Sequence, residues 1–253
     1  MKKSPSNDAH VIAALKSAEK MRIDFVANVS HELRTPLTSI KGYTETLIED
    51  LQVGRAIDPE FLQIILKNSN RLLALINDLL DLSAIESGAD HLQPAWIDLK
   101  EFNATVLDVL NREAQQKSSS ISLEIQCSKL FADPKRTEQV LVNLVENAIK
   151  YCPNRSQIRI VWSEESTPAG KSVLLRVSDN GPGIQKKHLD RLFERFYRVD
   201  KGRSRDLGGT GLGLSIVKHI LQRHQGTVEV DSSPGQGTTF TCHFPQDPAL
   251  TES

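Results

Sequence analysis

His31 lies in the run Phe25-Val26-Ala27-Asn28-Val29-Ser30-His31-Glu32-Leu33-Arg34-Thr35-Pro36-Leu37. Around it, apolar residues recur at Val26, Val29, Leu33, Leu37, Ile40, Leu47 and Leu51, with Thr44 filling one step. Steps of three and four make the stripe of an amphipathic helix. At roughly 100° per residue, His31 is about 200° around from both Val29 and Leu33, so it points away from the stripe. It shares the outer face with Asp24, Asn28, Thr35 and Thr38. Imidazole is largely uncharged yet nucleophilic at neutral pH. Glu32 beside it can accept the Nδ1 proton and leave the Nε2 lone pair free to attack.

Four further segments carry chemistry. In Asn143-Leu144-Val145-Glu146-Asn147-Ala148-Ile149-Lys150-Tyr151, the residues Asn143, Asn147 and Lys150 fall on one helical face. Two amides and an ammonium suit a hydrated metal bound to phosphates, although a solvated polar stripe would look the same. Asp179-Asn180-Gly181-Pro182-Gly183-Ile184 follows a strand. Its glycines let backbone approach a flat ligand, and its carboxylate can accept from an exocyclic amine; taken singly it is also plain turn chemistry. Gly208-Gly209-Thr210-Gly211-Leu212-Gly213-Leu214 opens a helix, where free N–H groups favour phosphate. It is neither a Walker loop nor a dinucleotide fingerprint. Gly235-Gln236-Gly237-Thr238-Thr239-Phe240 leads into the last strand. Between the second and third segments, Phe193 to Arg198 and then Lys201, Arg203 and Arg205 form a basic stretch fit for a lid over an anion, or for a solvated loop.

The elements that position these groups follow from periodicity. The His31 helix runs to about Leu51 after a lead-in over residues 9 to 20, and Pro36 inside it should bend it. Gly54 can end a helix, Asp58 can cap the next, and Pro59 suits its first position. That second helix carries Phe61, Ile65, Leu72, Leu75, Leu79 and Leu82 and stops near Gly88. The apolar face of the hairpin is broader than two helices can cover. A two-fold dimer forming a four-helix bundle covers it, as would packing against the rest of the chain. Beyond the boundary at 88 to 95, the pattern predicts helices over Leu99–Leu110, Pro134–Tyr151 (capped by Asp133) and Leu214–Arg223. Strands are predicted over Ile121–Ile125, Ile158–Trp162, Val173–Val177, Thr227–Val230 and Thr238–Phe244. Mostly antiparallel strands with segregated helices make an α+β sandwich.

Composition narrows the classes. Hydrophobic content of 39% and charged content of 25% over 253 residues fit one or two soluble globular domains. A net charge of −1 gives no reason to expect nucleic acid or an anionic membrane as partner. Cys127, Cys152 and Cys242 lack metal-ligand spacing and fit a reducing compartment. No apolar run reaches the roughly 20 residues of a membrane span. The expectation is a soluble protein, or the soluble part of a longer chain.

In this order, the segments resemble those of the sensor histidine kinases of two-component systems, from about residue 21 to 245. His-Glu-Leu-Arg-Thr-Pro-Leu is close to diagnostic, and among subgroups the chain looks most like the phosphate-sensor type. The resemblance implies a dimerisation and phosphotransfer domain over 21–87, a linker over 88–95 and an ATP-binding domain of the GHKL (Bergerat) type over 96–246, with a tail over 247–253. It implies ATP-dependent phosphorylation of His31, with Glu32, Arg34 and Thr35 in the catalytic segment. Thr35, one turn beyond His31, would position a water for dephosphorylating the partner regulator, with Glu32 completing a Glu-x-x-Thr arrangement. It makes Asn147 the Mg²⁺ ligand with Asn143 beside it, and sets Lys150 and Tyr151 against phosphate and adenine. Asp179 would read the adenine amine, in a pocket shaped by Gly181, Gly183 and Thr238. Arg198, with Gly209, Gly211, Leu212 and Gly213, would hold the phosphates. Cys152 stands where the family often has a small hydroxyl residue. The implied partners are a second copy of the chain and the receiver domain of a response regulator.

Two other classes compete. An ATP hydrolase of the chaperone or mismatch-repair kind needs a carboxylate one turn before the metal-binding Asn. Here that residue is Asn143, which cannot act as a base. A non-catalytic dimeric scaffold would not need its glycines, Asn147 and Asp179 intact.

Overall fold

The computed structural model describes residues 5–88, 91–167, 170–200 and 209–246. The chain divides into two compact units, Met1–Asn77 and Asp78–Ser253.

The first unit is a helical hairpin. Helix α1 spans Pro5–Gln52 and continues through Pro36. Gly54 leaves it at φ +71°, and Arg55 N–H closes the turn on Asp50 O at 2.8 Å. Asp58 Oδ1 accepts from Glu60 N at 2.9 Å, so the expected cap starts α2, Pro59–Ser87. The two helices meet through the tilted rings of Tyr43 and Phe61, with centroids 5.1 Å apart. Leu47 and Leu75 are buried, whereas Val26, Leu37, Leu51, Leu62, Leu66 and Leu73 are all more than half exposed. The stripe that the periodicity predicted is therefore only partly covered within one chain.

The second unit begins with the end of α2, then β1 (Ala95–Asp98), α3 (Leu99–Gln116), β2 (Ser120–Ile125), β3 (Lys129–Ala132), α4 (Pro134–Tyr151), β4 (Gln157–Thr167) and β5 (Gly170–Asp179). A short α5 (Lys186–Leu189), α6 (Gly213–Arg223), β6 (Thr227–Ser232) and β7 (Thr238–Pro245) complete it. The five-stranded sheet has the order β2-β4-β5-β7-β6, antiparallel except for the parallel β2–β4 pair, and β1 and β3 form a separate ribbon. The fold is the expected α+β sandwich. β4 extends beyond its predicted end because alternation gives way to the exposed Glu164 and Glu165 while pairing with β5 continues. β1 and β3 were not predicted: four residues each is too short for a periodicity.

Capping sets the helices. Asp98 accepts from Lys100 N and Glu101 N ahead of α3, and Asp133 accepts from Arg136 N ahead of α4. Trp162, Phe244, Leu144 and Leu175 are buried between helices and sheet. Buried Trp162 needs a partner for its N–H, and Asn103 Oδ1 accepts it at 3.1 Å while Asn103 Nδ2 donates to Leu99 O at 2.6 Å.

His224 ties α6 to the start of α4. Its Nε2 accepts from Asp133 N–H at 3.1 Å and its Nδ1 donates to Ile220 O at 2.8 Å. Burial holds this imidazole below the ordinary value of 6.5. The folded form favours neutral His224, so its contribution is complete above the unfolded value and is lost as pH falls from there through the folded one. The thermal transition of the second unit should therefore fall on acidification below about pH 6.5. In His224→Gln that slope should flatten, as followed by melting between pH 5 and 8; an unaltered slope contradicts the assignment.

Candidate functional site

In the first unit, α1 presents His31 outward: its side chain is 63% exposed, whereas Glu32 is 13% exposed. His31 Nδ1 stands 3.9 Å from Glu32 Oε1, beyond hydrogen-bond distance. The other carboxylate oxygen, Oε2, accepts from Arg71 Nη2 of α2 at 2.9 Å. Thr35, half-buried, donates its hydroxyl to His31 O at 3.2 Å, so lone pairs on its oxygen are left to accept. Arg34 is exposed one residue before it.

In the second unit, the predicted segments converge. Asp179 ends β5, in register with Ile158 of β4 and Thr238 of β7. Its Oδ1 accepts from Gly181 N at 2.8 Å. A Cβ on Gly181 would meet Cys152 Sγ at 2.5 Å and Asp179 Oδ1 at 2.8 Å. Cys152, buried at the end of α4, is a thiol rather than a thiolate: burial and then the Asp179 charge push it up to about 12. Gly183, at φ +66°, lies where a Cβ would fall 2.0 Å from Ser233 O. Gly237, at φ +81°, comes equally close to Asp179 O, at 1.9 Å. Gly235 N donates to Pro182 O at 2.8 Å, and Ser232 Oγ, 2.9 Å from Thr238 Oγ1, accepts from Ile184 N at 2.9 Å. The second and fourth segments thus form one double turn beside Asp179.

The first and third segments form the other wall. A Cβ at Gly213 would sit 2.5 Å from Asn143 Oδ1, which ties the start of α6 to α4. Gly211, at φ +79°, accepts from Phe196 N at 2.8 Å, and Leu212 is fully buried beneath it. Arg198 Nη2 donates to Gly209 O at 2.5 Å and so braces the loop. Lys150 Nζ pairs with Glu146 Oε2 at 2.6 Å, and Tyr151 is 36% exposed at the end of α4. Half-buried Asn147 makes no side-chain hydrogen bond among the described residues, which leaves its amide oxygen for a ligand. Lys201, Arg203, Arg205 and Gly208 lie outside the described residues.

Arg71 and Asp78 were missed by periodicity. Asp78 Oδ2 accepts from Thr210 Oγ1 at 2.6 Å in the glycine-rich loop. Burial pushes its carboxyl above the ordinary range, against the Thr210 hydrogen bond and the nearby Lys150 charge. Both residues occupy polar steps in a helix read for its apolar stripe. The polar run Asn68-Ser69-Asn70-Arg71 was the available signal for Arg71.

Comparison with known proteins fits this geometry. Residues 21–88 match the family described as "His Kinase A (phospho-acceptor) domain". Residues 132–248 match "Histidine kinase-, DNA gyrase B-, and HSP90-like ATPase". A "Sensor protein kinase WalK" of Staphylococcus aureus is 38% identical over 239 residues, 93% of this chain and 56% of its own length. A second, from strain JH9, is also 38% identical over 239 residues, covering 93% of this chain and 38% of its own length. The chain thus spans about half or less of the relatives it matches. Acinetobacter baumannii histidine kinase AdeS superposes with TM-score 0.70 at 27% identity, over 86% of this chain and 98% of that one. ShkA, solved full-length in complex with AMPPNP, gives TM-score 0.63 at 27% identity, over 88% of this chain and 45% of its own. ThkA in complex with the response regulator TrrA, at 22% identity and TM-score 0.71 over 98% of this chain and 69% of that one, supports the fold alone.

Proposed function

Because the chain belongs to the sensor histidine kinases of two-component systems, we propose that it moves the γ-phosphoryl group of ATP to His31 and then to an aspartate of a response regulator. It also acts as phosphatase toward that regulator, with Thr35 and Glu32 orienting the attacking water. The observation that carries this reading is the outward His31 ring beside a carboxylate that is itself held in place.

The residues have separable tasks. Asp179 accepts the adenine amine on the oxygen that Gly181 N–H does not use. Gly183 and Gly237 let the two turns beside Asp179 close on each other's backbone, which fixes the wall against which the base lies. Gly209, Gly211 and Gly213 present backbone to the phosphates at the start of α6, where the helix end favours negative charge. Arg198 braces that loop, while Lys150 can exchange Glu146 for phosphate. The uncommitted amide of Asn147, one turn from Asn143, fits a Mg²⁺ ion, which when bound would neutralise phosphate charge. Phosphoryl transfer passes through a loose transition state, so alignment and charge neutralisation supply most of the rate.

The exposed stripe of the hairpin is covered by a second copy in a four-helix bundle. The functional boundary falls over 88–95, and the site of action is the cytoplasm. Among the described residues no helix is long and apolar enough to cross a membrane.

Incubation with γ-labelled ATP and Mg²⁺ tests the reading. The expected product is protein-bound label that is acid-labile and alkali-stable. Free phosphate alone would indicate a hydrolase, and no turnover would indicate a scaffold.

A further inference from the structure

We propose that Arg71 is a positioning residue for phosphorylation of His31: it holds Glu32 by one carboxylate oxygen so that the other faces the Nδ1 of the imidazole. The inference rests on the histidine kinase reading and assigns a residue to it that the catalytic segment does not contain.

The geometry separates the two oxygens of one carboxylate. Oε2 is bound by Arg71 Nη2 at 2.9 Å, and Oε1 is the oxygen nearest His31 Nδ1, at 3.9 Å. Arg71 and Glu32 are each 13% exposed, while His31 is 63% exposed. The pair therefore lies inside the hairpin, below a ring that reaches solvent. An unanchored Glu on a helix samples several rotamers, most of which turn the carboxylate away from its neighbour. A guanidinium from the facing helix selects one of them, and its planar fork does so with directionality that an ammonium lacks. Arg71 stands to Glu32 as an orienting group stands to a general base, which in turn serves the nucleophile.

The step this serves is balanced. His31 attacks through Nε2, and the N–P bond forms as the bond from the γ-phosphorus to the bridging oxygen breaks. The electron pair leaves with ADP. The imidazole then carries both a phosphoryl group and the Nδ1 proton, and that proton passes to Glu32 Oε1 as the ring swings the remaining distance. Among the described residues Arg71 pairs with Glu32 and makes no hydrogen bond to His31, so its effect on the ring runs through Glu32.

The test uses the full chain with ATP and Mg²⁺. Arg71→Met should lower kcat for autophosphorylation about 10- to 100-fold, the range found when a group supporting a reactive residue is removed, and leave the KM for ATP unchanged. Arg71→Lys should recover part of the loss. In a Glu32→Gln background, Arg71→Met should have no further effect, since residues acting through one another are not additive. ¹⁵N spectra of the imidazole, with the His31 signals assigned by their loss in His31→Gln, should show the Nδ1-protonated form depleted in Arg71→Met and partly restored in Arg71→Lys. A kcat within about twofold of the parent overturns the proposal. So does an unaltered His31 tautomer, or additive losses in the double variant. Should Arg71→Met not fold, the spectra and kcat of Arg71→Lys decide in the same terms. A parent protein that takes no label would remove the kinase reading, while the tautomer comparison would still decide the role of Arg71.

Discussion

Asp179→Ala is expected to weaken ATP binding about 10- to 150-fold while the second unit keeps its thermal transition. A hydrogen bond to a charged group contributes about 1.5–3 kcal/mol, and the partner left unpaired adds to the loss; each 1.4 kcal/mol is about tenfold. Asp179 ends a strand paired on both sides, so its backbone stays anchored without the carboxylate. The Gly181 N–H and the Cys152 thiol lose their acceptor, both in the turn just beyond the strand end. Calorimetric titration of the full chain with ATP measures the effect. Affinity within about threefold of the parent would remove Asp179 from the base site.

Gly237→Ala has a larger effect on the fold itself. The residue sits at φ +81°, and its Cβ would fall 1.9 Å from Asp179 O. A left-handed non-glycine residue costs roughly 1–2 kcal/mol, and a backbone carbonyl cannot yield as a flexible side chain can. Gly235 provides the control: at φ +80°, its Cβ would meet nothing within 4 Å. Gly235→Ala therefore carries the conformational cost alone, whereas Gly237→Ala should exceed it by about 2 kcal/mol or more. Urea unfolding of both variants gives the comparison. Because the displaced carbonyl belongs to Asp179, the Gly237 variant should also bind ATP poorly. Equal stabilities would mean that the turn relaxes freely.

Much of this was legible in the sequence, for identifiable reasons. The hairpin follows from long apolar periods and from Gly54, Asp58 and Pro59, whose conformational preferences are local. Asp133 announces α4 in the same way. The glycine segments showed where backbone must come close, but not what it would approach. That Gly237 abuts Asp179 O, or Gly213 the Asn143 side chain, depends on strand order and helix packing. The β1–β3 ribbon escaped because four-residue strands carry too few alternations. Arg71 and Asp78 escaped for a different reason. Each meets a partner distant in sequence, Glu32 and Thr210 respectively, and a polar residue on an amphipathic helix carries no mark of which partner it will find. The outward placement of His31 on its helix was readable; the arginine that holds the neighbouring carboxylate was not.

The central claim is that an exposed imidazole takes the terminal phosphoryl group. The most direct measurement compares the parent chain with His31→Gln after incubation with γ-labelled ATP and Mg²⁺, reading acid-labile label on protein together with ATP affinity by titration. The account predicts that the label falls to background while affinity for ATP is retained, because the residues proposed to hold the nucleotide lie in the second unit. Undiminished label in His31→Gln would contradict it.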